Sequence, residues 1–130
     1  QVKVRREAKE TVFGEDFQQA IIQFLNFDPK YHLLVEQLST LVKAHAVPVG
    51  SGTVARSSSV TLEDKAALAV MAWMRHQTSS YDSTSVARIK GARRELRRQI
   101  ARQSERILVK YRSGDDVDFE VCPLYKALHR

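Results

Sequence analysis

The chain has 130 residues, 43% of them hydrophobic, and a formal net charge of +6; that length supports one domain with a real core and excludes two independent ones. Its longest apolar stretch, Ala66 to Met74, falls far short of the ~20 residues a membrane span requires, so no membrane partner is expected. The single cysteine, Cys122, excludes an internal disulfide and a cysteine-rich metal site; no metal or cofactor is expected, and a reducing, cytoplasm-like compartment is the default.

Residues 1–12, QVKVRREAKETV, are charged and lack an apolar stripe, and they read as a flexible arm. From Phe13 the pattern changes: Phe17, Ala20, Ile21, Phe24 and Leu25 recur at helical spacing, with Asp16 as cap and a stop near Asn26. FDPK then restarts the chain, because Asp28 accepts from freed amides of a new first turn and Pro29 sits where a missing N–H costs nothing. A second helix is predicted through YHLLVEQLSTLVKAHA, burying Tyr31, Leu34, Val35, Leu38, Leu41 and Val42. A Gly- and Ser-rich connection, VPVGSGTVARSSSV, carries Arg56 and ends at Thr61. Thr61 and Asp64 resemble a capping box with a shortened acid, opening a third helix over Leu62 to Gln77. That helix is apolar nearly all round and is expected to be central. The last long helix is predicted from Ser85 to Tyr111, with Ile89, Leu96, Ile100, Ile107 and Tyr111 on one stripe and a kink allowed at Gly91. Residues 113–130 form an acidic turn and a C-terminal strap, in which alternating VDFEV suits a short strand or extended segment. The predicted fold is mainly α: a compact bundle of about four helices over 13–112, with a long Arg-rich C-terminal helix and a short extended tail.

Charge is the most informative property. Between Arg88 and Arg112 stand eight arginines and two lysines against Glu95 and Glu105, whereas the rest of the chain holds eleven basic and thirteen acidic residues. All the excess positive charge lies in one 25-residue segment, and such clustering attracts polyanions. Guanidinium groups match phosphate oxygens with forked donors and stay charged at physiological pH. Arg94, Arg98, Arg102 and Arg106 repeat every fourth residue and span ~18 Å of helix, and Arg97 joins them. A mixed-sign face is ordinarily just a solvated one; ten bases against two acids instead leave repulsion that an anionic partner relieves.

WMRHQTSSYD places Arg75, His76, Thr78, Tyr81 and Asp82 within eight positions. Each has a structural account: Arg75 and His76 suit a helix C-terminus, Thr78 and Ser79 turn the chain, and Asp82 caps or pairs with Arg75. The functional account gathers Arg75, His76 and Tyr81 beside the arginine helix as further phosphate contacts. There His76 would serve metal-independent RNA cleavage only with a second acid–base partner. No G-x-G-x-x-G, Walker lysine or zinc spacing is present.

The segments VGSGTVARS, AVMAWMRHQTSSYD and ARRELRRQIARQSERILVKYR together resemble the uncharacterised family known as domain of unknown function 2293, over Val49 to Arg112. Where that family commonly carries tryptophan, this chain has Tyr111. The resemblance implies no activity; it marks Arg56, Arg75, His76, Thr78, Tyr81 and Asp82 as positions to test. The expected function is nucleic-acid binding, RNA favoured over DNA, through phosphate contacts from Arg94, Arg97, Arg98, Arg102 and Arg106 with Arg56, Arg75, His76 and Tyr81 nearby. The alternatives are a protein-interaction module docking on an acidic partner surface and, third, a nuclease using His76.

Overall fold

The computed structural model describes residues 2–46, 60–85 and 90–130, with backbone alone for residues 2–12. Five α-helices are described: α1 (Val2–Leu25), α2 (His32–Ala46), α3 (Leu62–Gln77), α4 (Ala92–Ser113) and α5 (Pro123–Leu128), with 3-10 turns at Pro29–Tyr31 and Tyr81–Ser83. No strand occurs among the described residues. The residues pack as two units, Gln1–Asn26 with Leu33–Val70, and Phe27–His32 with Met71–Arg130.

The first unit is built on apolar faces at helical spacing. Phe17, Ile21 and Leu25 of α1 are buried, as are Leu38 and Val42 of α2 and Ala66 and Val70 of α3. Gln18 Nε2 donates to Ser39 Oγ and Thr40 Oγ1, both at 3.3 Å, so the polar edge of this packing is also bonded. Helix α1 begins at Val2, eleven residues before its apolar face, so residues 2–12 are helical rather than irregular. Polar helix formers such as Glu7, Lys9 and Glu10 extend a helix without leaving any periodicity to read. Asp16 is therefore an exposed residue inside α1 and not its cap. The helix ends at Asn26, whose φ of 49° is left-handed.

Caps fix the next two helix starts. Asp28 Oδ1 accepts from the Lys30 amide at 3.0 Å, with Pro29 in the first turn. Thr61 Oγ1 accepts from the Asp64 amide at 3.1 Å. Leu34, Leu38 and Val42 are buried as expected, but Leu41 is exposed. Helix α3 buries Ala66, Ala69, Val70, Trp73 and Met74 yet leaves Leu68 exposed, so it is covered on most sides rather than all.

In the second unit, α4 starts only at Ala92, because Gly91 adopts a left-handed φ of 86° as its N-cap. A glycine read from sequence as a tolerated interior residue is thus the helix boundary. The helix buries Ile100, Ser104, Leu108 and Tyr111. Gly114, φ 74°, closes it, and the Gly114 amide donates to Tyr111 O. Tyr111 is the hub of this unit. Its ring stacks on Phe27 at 4.9 Å and meets Tyr31 edge-on at 4.8 Å, while its hydroxyl contacts Cys122 Sγ at 3.1 Å. The Tyr31 hydroxyl donates to Asp115 O and accepts from the Val117 amide, tying the tail to the 3-10 turn.

The tail is neither strand nor extended strap. Asp118 O accepts from the Val121 and Cys122 amides, and Asp118 Oδ1 accepts from the Glu120 amide, which winds VDFEV into turns. Pro123 then opens the six-residue α5, with Phe119 stacked on Tyr125 and Tyr125 on His129 at 4.1 and 4.0 Å.

Candidate nucleic-acid interface

Helix α4 divides its cations among three directions. At 100° per residue the four-residue row advances about 40° per step. Arg94, Arg98 and Arg102 therefore lie on the face opposite the buried stripe, and Arg106 lies farther round, beside Lys110. All are exposed. Glu95 pairs with Arg98 at 3.6 Å and with Arg102 at 3.5 Å, and those two side chains remain 62% and 61% exposed. Among the described residues, no carboxylate pairs with Arg94, Arg97 or Arg106. The acidic tail does not cover this face either: Asp116 pairs with Lys30 at 3.1 Å. Glu105 takes Arg112 at 3.0 Å. The cationic face is open.

Arg93 and Arg97 point another way. They continue the azimuth of Ile100 and Ser104, so they lean toward the Tyr81–Ser83 turn instead of outward. The Arg93 guanidinium lies 5.4 Å from the Tyr81 ring centroid, and that of Arg75, from the last turn of α3, lies 5.4 Å from the same ring. The hydrogen bond from Arg93, reinforced by the charges of Arg93, Arg97 and Arg75, holds the Tyr81 phenol below its ordinary value of 10. The Arg75 Nε is buried without a hydrogen-bond partner among the described residues.

The end of α3 shapes this cluster. Thr78 Oγ1 donates to Met74 O at 2.7 Å and Ser79 Oγ donates to Arg75 O, which satisfies carbonyls that the helix leaves open. Ser79 Oγ also accepts from the Tyr81 amide at 3.2 Å, which sets the turn that presents Tyr81. Asp82 binds His76 rather than Arg75: the His76 Nδ1 to Asp82 Oδ1 distance is 2.6 Å, and the imidazole meets Tyr81 edge-on at 5.8 Å.

Of the residues expected from sequence, Arg75, His76 and Tyr81 come together with Arg97. Arg94, Arg98, Arg102 and Arg106 form the outer face, and Arg56 lies outside the described residues. Arg93 was not among the expected site residues, although its i,i+4 spacing to Arg97 on the azimuth of Ile100 was there to be read. No group of three His, Cys, Asp or Glu arranged to hold a metal occurs among the described residues, nor any helix long and apolar enough to cross a membrane.

By fold and surface, the described residues form an all-helical protein with an arginine-rich helix as its dominant charged feature. The chain belongs to the family described as "Uncharacterized conserved protein (DUF2293)", whose profile matches residues 26–112. The match starts well before Val49 and so takes in α2 as well as α3 and most of α4. Comparison with curated proteins and with solved structures returned no match.

Proposed function

We propose that this protein binds nucleic acid, RNA in preference to DNA, through phosphate contacts from Arg94, Arg97, Arg98, Arg102 and Arg106. One observation carries the reading: a helical face of guanidiniums open to solvent, tempered only by Glu95. Phosphate contact of this kind is sequence-independent. Reading DNA bases from the major groove calls for a recognition helix whose first residues reach base edges; α4 opens on a glycine cap followed by Ala92, Arg93 and Arg94, of which Arg93 is turned onto Tyr81.

The test is fluorescence anisotropy with a labelled single-stranded RNA across a salt series. About five phosphate contacts give a log K versus log salt slope of about −3.5 on a single strand. Arg98→Glu with Arg102→Glu should lower affinity by roughly 100-fold and shallow the slope by about 1 per residue. Unchanged affinity rejects the reading. Binding to an acidic protein with indifference to RNA at ~150 mM salt would favour an interaction module instead.

The His76–Asp82 contact supports a second reading, metal-independent RNA cleavage, since a carboxylate on Nδ1 orients an imidazole for proton transfer. Labelled RNA would then shorten in the presence of a chelator, and His76→Ala would stop it without loss of binding.

A further inference from the structure

The third direction of α4 borders a pocket of about 320 Å³ within the second unit, a size typical of small-ligand sites. Its walls are apolar, formed by Ile100 and Ile107 of α4 and by Pro123 at the start of α5. Gln103 brings an amide that both donates and accepts. Arg106 and Lys110 lie one helical turn apart on the lining, and among the described residues neither has a carboxylate partner. None of the nine lining residues is acidic.

These three chemistries occur together in a nucleotide. A base has a flat, weakly polar body, an edge that donates and accepts, and a phosphate one bond from its sugar. We propose that this pocket receives one unpaired nucleobase of a bound strand, its edge facing Gln103 and its flanking phosphate facing Arg106 and Lys110. The inference rests on the nucleic-acid reading above and deepens it. The outer arginines hold a backbone of any sequence, and the pocket selects a strand whose bases are free to turn outward. A base stacked inside a duplex cannot enter, which gives single strands the advantage.

Three labelled ligands with equal phosphate numbers separate the outcomes: a single-stranded RNA, the same RNA as a duplex, and an abasic ribose-phosphate strand. Burying one base against apolar walls should favour the base-bearing single strand over the abasic one by roughly tenfold. Ile107→Trp, which fills the pocket from a half-buried position, should bring that ratio to about one without altering the salt slope. Gln103→Ala, at an exposed position that α4 tolerates, should flatten any preference among the four homopolymers and serves if the tryptophan variant fails to fold. Equal binding of abasic and base-bearing strands by the wild type overturns the pocket while leaving the phosphate reading intact. So does a folded Ile107→Trp protein that keeps the ratio, or a Gln103→Ala protein that keeps its base preference. Failure to bind any of the three ligands at low salt overturns both.

Discussion

Tyr81 and Tyr111 show how differently one side-chain type is used. Tyr81 sits half-exposed among Arg75, Arg93 and Arg97, which favour the phenolate. Burial, with the Cys122 contact second, pushes the Tyr111 phenol far above 10. A pH titration of tyrosinate absorbance should therefore show a component with a midpoint below 10 that disappears in Tyr81→Phe and moves upward in Arg93→Ala. A Tyr81 midpoint indifferent to Arg93→Ala would mean that the guanidinium does not face the phenol in solution. Tyr111 gives the opposite sign. Its folded form keeps the proton that the unfolded chain loses, so its contribution to stability falls as pH rises above 10, with no effect at neutral pH. Neither role is legible from the sequence alone. The tyrosines differ in what the fold brings to them: residues six and twelve positions away for Tyr81, and eighty or more away for Tyr111, which meets Phe27 and Tyr31.

At the scale of elements, two glycines with the same backbone need carry different loads. Gly91 has nothing within 4 Å of where a Cβ would stand, so Gly91→Ala meets only the left-handed penalty, about 1–2 kcal/mol. At Gly114 a Cβ would also stand 2.6 Å from Asp28 Oδ2, and Asp28 is held by its bond to the Lys30 amide. Gly114→Ala should therefore lower unfolding free energy more than Gly91→Ala in urea denaturation; the reverse order would mean that Asp28 is free to move aside. These glycines also show where sequence reading succeeds and where it stops. The starts of α2 and α3 were legible because Asp28 and Thr61 are residues that bond a first turn by themselves. Gly91 was not, since a glycine carries no mark separating a left-handed cap from a tolerated interior position. Helix α5 was too short for any periodicity to register, and the first half of α1 had no apolar face to reveal it. The row Arg94, Arg98, Arg102 was legible from spacing alone, whereas the turning of Arg93 and Arg97 onto Tyr81 depends on where a separate turn packs.

For the whole molecule the partition of charge is sharper than the sequence segment suggested. The unit of Gln1–Asn26 and Leu33–Val70 holds seven basic and seven acidic residues; the unit of Phe27–His32 and Met71–Arg130 holds fourteen and eight. The entire net charge of +6 belongs to the second. Repulsion among exposed guanidiniums opposes that unit's compact state, and salt screens it. Adding sodium chloride should therefore raise the melting temperature by a few degrees, followed by differential scanning calorimetry. A melting temperature that does not rise would mean that Glu95 and Glu105 already neutralise the strain.

Glu95 has one more consequence. Because its carboxylate already spans Arg98 and Arg102, any incoming anion meets a tethered rival at that point of the helix. Free phosphate or chloride must displace it at two cations and gains little elsewhere. A polymer that engages Arg94 and Arg97 at the same moment does not depend on that exchange. One acidic side chain thus sets a threshold of valency, below which small ions leave the helix alone and above which a chain of phosphates stays.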